Sequence, residues 1–287
     1  MSKKGSITYQ IKNELLKMCR FGESRDKAKK SGTAYKYIFS YGTLQTYLKQ
    51  LNYMVSWAKE NNIKVKTIDD LQLHGDDWLE YCKAQGMSAW TLTTRRAALS
   101  KICQVPYSYW QVEIPKRTRD SVVRSRDKSK ALKHFSETNN IEQVVFARCS
   151  GLRASEMKSL TADALYYDSE GNPWLHITKG TKGGKHRNVK LYGSPEELKL
   201  CIDTIMNSDG KVFPNYRECN NHGYRSEYCQ RVYDANARDI NSIENRHEKV
   251  FCRNDKKGIV YDKKALQVCA EMLGHGRYQV CNLSYLY

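Results

Sequence analysis

Apolar residues in the first half of the chain recur at helical intervals. Leu44, Tyr47, Leu48, Leu51, Met54 and Val55 stand three and four positions apart behind Thr43, a residue suited to starting a helix. A helix is therefore expected from about residue 41. A turn at Asn61-Asn62 separates it from a second helical stretch through Ile68, Leu71, Trp78 and Leu79. A third runs from Gly86 to Leu99, with Ser88 or Thr91 as its cap and Trp90, Ala97, Ala98 and Ile102 turned to a core. Thr93, Thr94, Arg95 and Arg96 then fall on the outer face, an edge suited to phosphate contact. As pattern alone, this half reads as a small helical bundle.

The second half mixes periods. Ile141, Val144, Val145 and Ala147 predict a helix running into Ser150-Gly151-Leu152, and Arg153 through Leu160 begin another. Trp174 to Thr178 and Asn188 to Leu191 alternate as two strands around a Lys/Gly turn, a hairpin. Helices are expected at about 195–207, 221–237 and 263–273. The predicted fold class is mainly α with one small antiparallel β-sheet, an α+β chain without internal repeat or low-complexity segment.

Composition adds a partner. The chain has 287 residues, enough for one large domain or two ordinary ones, and its 40% apolar content excludes a disordered chain. Its net charge of +17, from 48 Lys and Arg against 31 Asp and Glu, suits a polyanion, since each neutralised phosphate releases counterions. A merely basic protein is the plainer alternative. Residues 1–35 carry nine basic groups against three acids, read as a short helix plus a basic tail that either lies on DNA or only solubilises. A second basic run, with Lys116, Arg117, Arg119, Arg124 and Arg126, reads as an interdomain linker whose basic groups contact a DNA backbone, or else as a solvated linker with no partner. The expected division is 1–35 basic segment, 36–112 helical domain, 113–128 linker and 129–287 second domain.

Several classes drop out. No run of about 18 apolar residues and no signal-peptide core is present, so no membrane association and a cytoplasmic, nucleoid-associated location are expected. The ten cysteines form no C-x-x-C pair and read as reduced, mostly buried thiols. Cys219, His222 and Cys229 have the wrong spacing for a zinc finger or ribbon; neither metal nor cofactor is expected.

Four short stretches carry chemistry. They are Gly151-Leu152-Arg153-Ala154-Ser155-Glu156, Lys182-Gly183-Gly184-Lys185-His186-Arg187, His222-Gly223-Tyr224-Arg225, and Leu273-Gly274-His275 with Tyr285 ten positions later. Arginine's planar fork matches two phosphate oxygens and stays charged, so Arg153 and Arg225 can clamp one phosphate. His222 and Arg225 stand at i and i+3, on one face of a helix. A tyrosine hydroxyl, with an ordinary pKa of about 10, needs cationic neighbours to become a nucleophile.

Arg, Lys, His, Arg, His and Tyr in this order resemble the active site of the tyrosine recombinases, the phage-integrase family. The resemblance covers roughly residues 36–287, with specific motifs only after 150. It implies a helical core-binding domain and a catalytic domain that together form a clamp around double-stranded DNA. It also implies the roles: Arg153 and Arg225 hold the scissile phosphate, His275 hydrogen-bonds it, His222 helps with proton transfer and Glu156 orients Arg153. Lys182 protonates the 5′-oxygen leaving group, with Lys179 and Lys185 as neighbouring registers. Tyr285 is the nucleophile; Tyr287 is the alternative, and Tyr278 lies too close to His275. Specific recombination sites, a tetramer on paired sites, accessory DNA-bending or directionality factors, and integration or excision of a mobile element follow as expectations. Two other readings stay open: a type IB topoisomerase-like enzyme and a catalytically inactive recombinase-like DNA-binding protein. Many members carry a further helix after the tyrosine that docks into a neighbouring subunit. Here two residues follow Tyr285, so such coupling is expected to be absent, supplied otherwise or removed by truncation.

Overall fold

The computed structural model describes residues 5–117, 135–253 and 256–286. Arg119, Arg124, Arg126 and Tyr287 lie outside the described residues. The chain divides into two compact units, Met1–Val123 and Arg124–Tyr287.

The first unit is helical: α1 (Ile7–Lys17), α2 (Arg25–Lys30), α3 (Tyr41–Glu60), α4 (Ile68–Leu73), α5 (Gly75–Ala84) and α6 (Ala89–Ile102). Helix α3 begins at Tyr41, where it is expected, but its cap is Ser40 rather than Thr43: the Ser40 hydroxyl accepts the Thr43 N–H at 3.2 Å. The second helical stretch is two helices. Thr67 and Asp70 form a reciprocal capping box for α4, which ends at His74 before α5 starts. Leu44, Leu51, Met54, Leu71, Trp78, Leu79 and Leu99 share one core.

The short helix expected in the first 35 residues is α1: Ile11 and Leu15, with Met18 just after it, pack into that same core, and the bridge from Cys19 to Ile38 ties the following segment down. Two expectations are corrected in this unit. On α6 the inward residues are Ala89, Leu92, Ala98, Leu99 and Ile102, while Trp90 and Ala97 are only half-buried. Arg95 does not face outward but is buried, 7% exposed. It stands three after Leu92 and four before Leu99, on the buried stripe. Its stem fills the core while the guanidinium donates to Gln50 Oε1 and Cys82 Sγ and lies over the rings of Trp78 and Tyr53.

The second unit contains α7 (Ile141–Ser150), α8 (Ala154–Met157), β1 (Leu165–Tyr167), β2 (Pro173–Ile177), β3 (Arg187–Lys190), α9 (Pro195–Met206), α10 (Asn221–Asn236), β4 (Lys249–Phe251), β5 (Val260–Asp262), α11 (Lys263–Leu273) and α12 (Gln279–Ser284). The expected hairpin is present, with Leu175 opposite Val189 and His176 opposite Asn188. Leu175, Ile177 and Val189 face inward, as alternation requires. Where one sheet was expected, the described residues hold two: β1 adds a third strand to the hairpin, and β4 pairs with β5. The added strands have three residues each, too short to register as periodic. Phe146, Leu175, Val189, Tyr228, Leu266 and Leu273 belong to the core that α12 joins through Cys281 and the residues after it through Leu286.

Candidate active site

Charge in the second unit converges on the C-terminal end of α11. The last turn of any helix leaves carbonyls without partners at the negative end of its dipole. Here Arg153 Nη2 donates to the Leu273 carbonyl at 3.1 Å, Arg225 Nη2 to the same oxygen at 3.0 Å, and Arg187 Nε to the Met272 carbonyl at 2.9 Å. Arg225 also donates to the Gly151 carbonyl. Gly274 follows with φ +68°, a left-handed turn that ends the helix and sets His275 beside these cations. A Cβ at Gly274 would stand 3.0 Å from the Arg187 side chain.

Glu156 organises the arginines from the other side. Its carboxylate is buried and accepts two bonds from Arg187, at 2.6 and 2.8 Å, one from Arg153 Nη1 at 2.8 Å and one from the Arg153 backbone N–H at 2.7 Å. Burial alone would raise its pKa; the Arg187 fork, its charge and the Arg153 contacts outweigh that and hold it down at about 2. Burial acts on Arg225 first, lowering its pKa, with the Arg153 charge adding to the effect and Tyr285 opposing it.

Tyr285 follows α12 and is 7% exposed. Its ring centre lies 4.9 Å from that of His222 and 5.4 Å from that of His275, and the Arg225 guanidinium carbon is 5.6 Å away. His222 and Arg225 reach it from successive turns of α10, the helix face their spacing predicts. His275 is shifted down to about 4, by burial first and then by the charges of Arg225, Arg153, Arg187 and Lys182. Its imidazole is neutral at pH 7, so one nitrogen donates and the other accepts. The His275 Nε2 is buried and has no hydrogen-bond partner among the described residues.

Lys182 begins a single helical turn, Lys182–Gly184, at the tip of the β2–β3 hairpin, and its side chain is exposed. With Arg153, Arg187 and His275 it lines a cleft of about 470 Å³, and Lys185 lines the same cleft. The root of the hairpin is fixed at Gly180. The Ser155 hydroxyl donates to the Gly180 carbonyl at 2.7 Å, and at φ +70° a Cβ there would meet the Ser155 carbonyl oxygen at 2.2 Å.

The second unit therefore brings Arg153, Lys182, His222, Arg225, His275, Tyr285 and Glu156 to one place. The remaining candidates among the described residues lie in the first unit. Thr93 and Thr94 return their hydroxyls to the Ala89 and Trp90 carbonyls at 2.7 and 2.8 Å, as helical threonines do. Arg96 lies over the Tyr107 ring, Arg117 over the Trp90 ring, and Lys116 is exposed. Sequence reasoning gave Arg187 no role, although it stands in the same Lys/Gly stretch as Lys182. A single arginine on a strand gives no sign of its partner; the carboxylate 31 positions away does. Cys219 turns to Asn221 and Tyr216, while Cys229 enters the core. Among the described residues no group of three or more His, Cys, Asp or Glu side chains is placed to hold a metal ion, and no helix is long and apolar enough to cross a membrane.

Residues 37–107 match the phage integrase N-terminal SAM-like domain. No curated protein matches the chain in sequence. Among solved structures, the XerH site-specific recombinase bound to a palindromic difH substrate, in a post-cleavage complex, is 13% identical over 97% of this chain and 90% of that one, with a TM-score of 0.52. The Tn1549 transposon integrase in complex with transposon right end DNA is 12% identical over 96% of this chain and 95% of that one, with a TM-score of 0.47. At such identity the likeness to XerH is one of fold: helical in the first unit, mostly helical with small antiparallel sheets in the second.

Proposed function

We propose that this chain is a tyrosine recombinase that breaks and rejoins DNA strands through a 3′-phosphotyrosine on Tyr285, a reading its integrase-type N-terminal domain and its fold support. One observation carries the reading: the Tyr285 ring is buried against His222, His275 and Arg225, at the convergence of two arginines on one carbonyl. A tyrosine in a purely structural core gains nothing from such neighbours.

The phenolic oxygen attacks the scissile phosphorus as the bond to the 5′-oxygen breaks. The phenolic proton passes to the neighbouring His222 imidazole, and Lys182 at the hairpin tip supplies a proton to the departing 5′-oxygen. Arg153 and Arg225 neutralise the non-bridging oxygens, where charge builds in the transition state, and neutral His275 donates a hydrogen bond to one of them. Glu156 and Arg187 do not touch the phosphate; they hold Arg153 in place. Reversal by a 5′-hydroxyl rejoins a strand without ATP, because the phosphotyrosine conserves the bond energy. The net charge of +17 favours duplex DNA as the substrate. Specific paired sites, assembly as a tetramer, and integration or excision of a mobile element complete the reading.

The test is incubation in EDTA with a nicked duplex bearing the junction DNA beside its own gene, followed by a search for an SDS-resistant adduct. Wild type should form one and Tyr285→Phe should bind the duplex without forming it. A bound duplex with no adduct would favour the binding-protein reading. An adduct persisting in Tyr285→Phe would place the nucleophile elsewhere, Tyr287 first.

A further inference from the structure

The element that carries Tyr285 cannot hold itself. Helix α12 has six residues, and helices far shorter than about 12–15 residues are marginal in water without tertiary support. Its last carbonyls lack helical partners. Cys281 O accepts the Tyr285 and Leu286 N–H groups, which closes the first of them. The next, the Asn282 carbonyl, is met from outside the helix. Lys256, in the connection between β4 and β5, is 8% exposed, and its ammonium donates to the Asn282 carbonyl at 2.7 Å and to the Leu286 carbonyl.

Those two acceptors bracket Tyr285. A buried ammonium is costly unless its donors are satisfied, and both contacts reach a segment 26 to 30 positions away. The connection is itself braced. Cys252 N–H donates to the Ile259 carbonyl at 2.9 Å, Ile259 N–H to the Lys256 carbonyl at 3.1 Å, and Lys256 Nζ lies 5.9 Å from the Tyr261 ring centre. From the α12 side, Asn282 Nδ2 approaches Cys252 Sγ at 3.7 Å. The helix thus meets the β4–β5 hairpin at two points, one of them charged, and charge-assisted hydrogen bonds are the stronger kind.

We propose that Lys256 is a positioning residue: its ammonium pins the end of α12 to the β4–β5 hairpin and thereby holds the Tyr285 ring in the pocket formed by His222, Arg225 and His275. It acts through the backbone of α12 rather than on the reacting groups. Without the pin, α12 frays and the tyrosine samples positions away from the arginines.

The first readout does not depend on the proposed chemistry. Amide hydrogen exchange is compared in the full-length protein for residues 279–286 and, as an internal reference, for α7 (141–150). Lys256→Met should speed exchange of 279–286 on the order of 10-fold or more while leaving α7 unchanged, the scale of losing hydrogen bonds to a charged group. Lys256→Gln, whose amide can still donate to both carbonyls, should fall between. Unchanged exchange in Lys256→Met overturns the proposal. If Lys256→Met loses protection throughout the unit, Lys256→Gln decides: selective loss at 279–286 supports a local pin, and general or absent loss refutes it. The second readout rests on Tyr285 as nucleophile: at saturating duplex the adduct should form about 10-fold more slowly in Lys256→Met, with duplex affinity unchanged. Failure of wild type to form any adduct would count against the proposed function alone, since the exchange result judges the pin separately.

Discussion

Replacing Glu156 with glutamine isolates the buried charge that organises the arginines. Glutamine keeps the shape and one acceptor oxygen but removes the negative charge beneath Arg187 and Arg153. Two routes give the magnitude. Holding a carboxyl at about 2 against an ordinary 4.5 corresponds to about 3 kcal/mol. Breaking one side of a buried ion pair costs about 3–5 kcal/mol. The wild type should therefore exceed Glu156→Gln by about 3 kcal/mol in the stability of the second unit at pH 7. The sign in acid follows from the depressed pKa: this stability is complete above the unfolded value of 4.5 and is lost as pH falls towards 2. His275 acts in the same direction, since its depressed pKa makes both proteins lose stability as pH falls from 6.5 to about 4, but it largely cancels in the difference. Urea titrations followed at the ¹³C-labelled methyl group of Met157, buried beside Glu156, report this unit rather than the whole chain. The gap should stay near 3 kcal/mol down to about pH 5 and close towards pH 2. A gap that is absent at pH 7, or the same at pH 7 and pH 2.5, would refute the ion-pair account.

Two further substitutions probe placement. Gly180→Ala forces a left-handed alanine, costing roughly 1–2 kcal/mol from φ alone, and drives a Cβ at the Ser155 carbonyl. It should destabilise the second unit in urea and slow adduct formation more than duplex binding, because the hairpin carrying Lys182 shifts; unchanged stability would contradict the close approach. Arg95→Ala should destabilise the first unit by about 2 kcal/mol or more through lost packing while leaving duplex affinity per folded molecule unchanged. A drop in affinity with stability intact, measured by fluorescence anisotropy alongside thermal melting, would restore the outward, phosphate-contacting role.

The long periodic segments were legible because their cores are built from near neighbours. Helices α3, α9, α10 and α11 follow from apolar spacing and local caps, and the β2–β3 hairpin from alternation around a lysine-glycine turn. Charge pointed to a polyanion, and the order of Arg153, Lys182, His222, Arg225, His275 and Tyr285 pointed to a family, because these depend on residue identity alone. What only the tertiary structure decided is who meets whom. Arg95 looked like a surface residue until Gln50, Cys82 and two aromatic rings from other helices closed around it. A short helix was legible near the N-terminus, but that Ile11, Leu15 and Met18 join the core was decided only by packing against α3 and α6. Arg187 and Lys256 carry no local signal: one is defined by a carboxylate 31 positions back, the other by carbonyls 26 and 30 positions ahead. Local propensity acts over a turn or two of chain. The placement of a buried charge depends on long-range partners that must neutralise it, and those are brought together only when the chain folds.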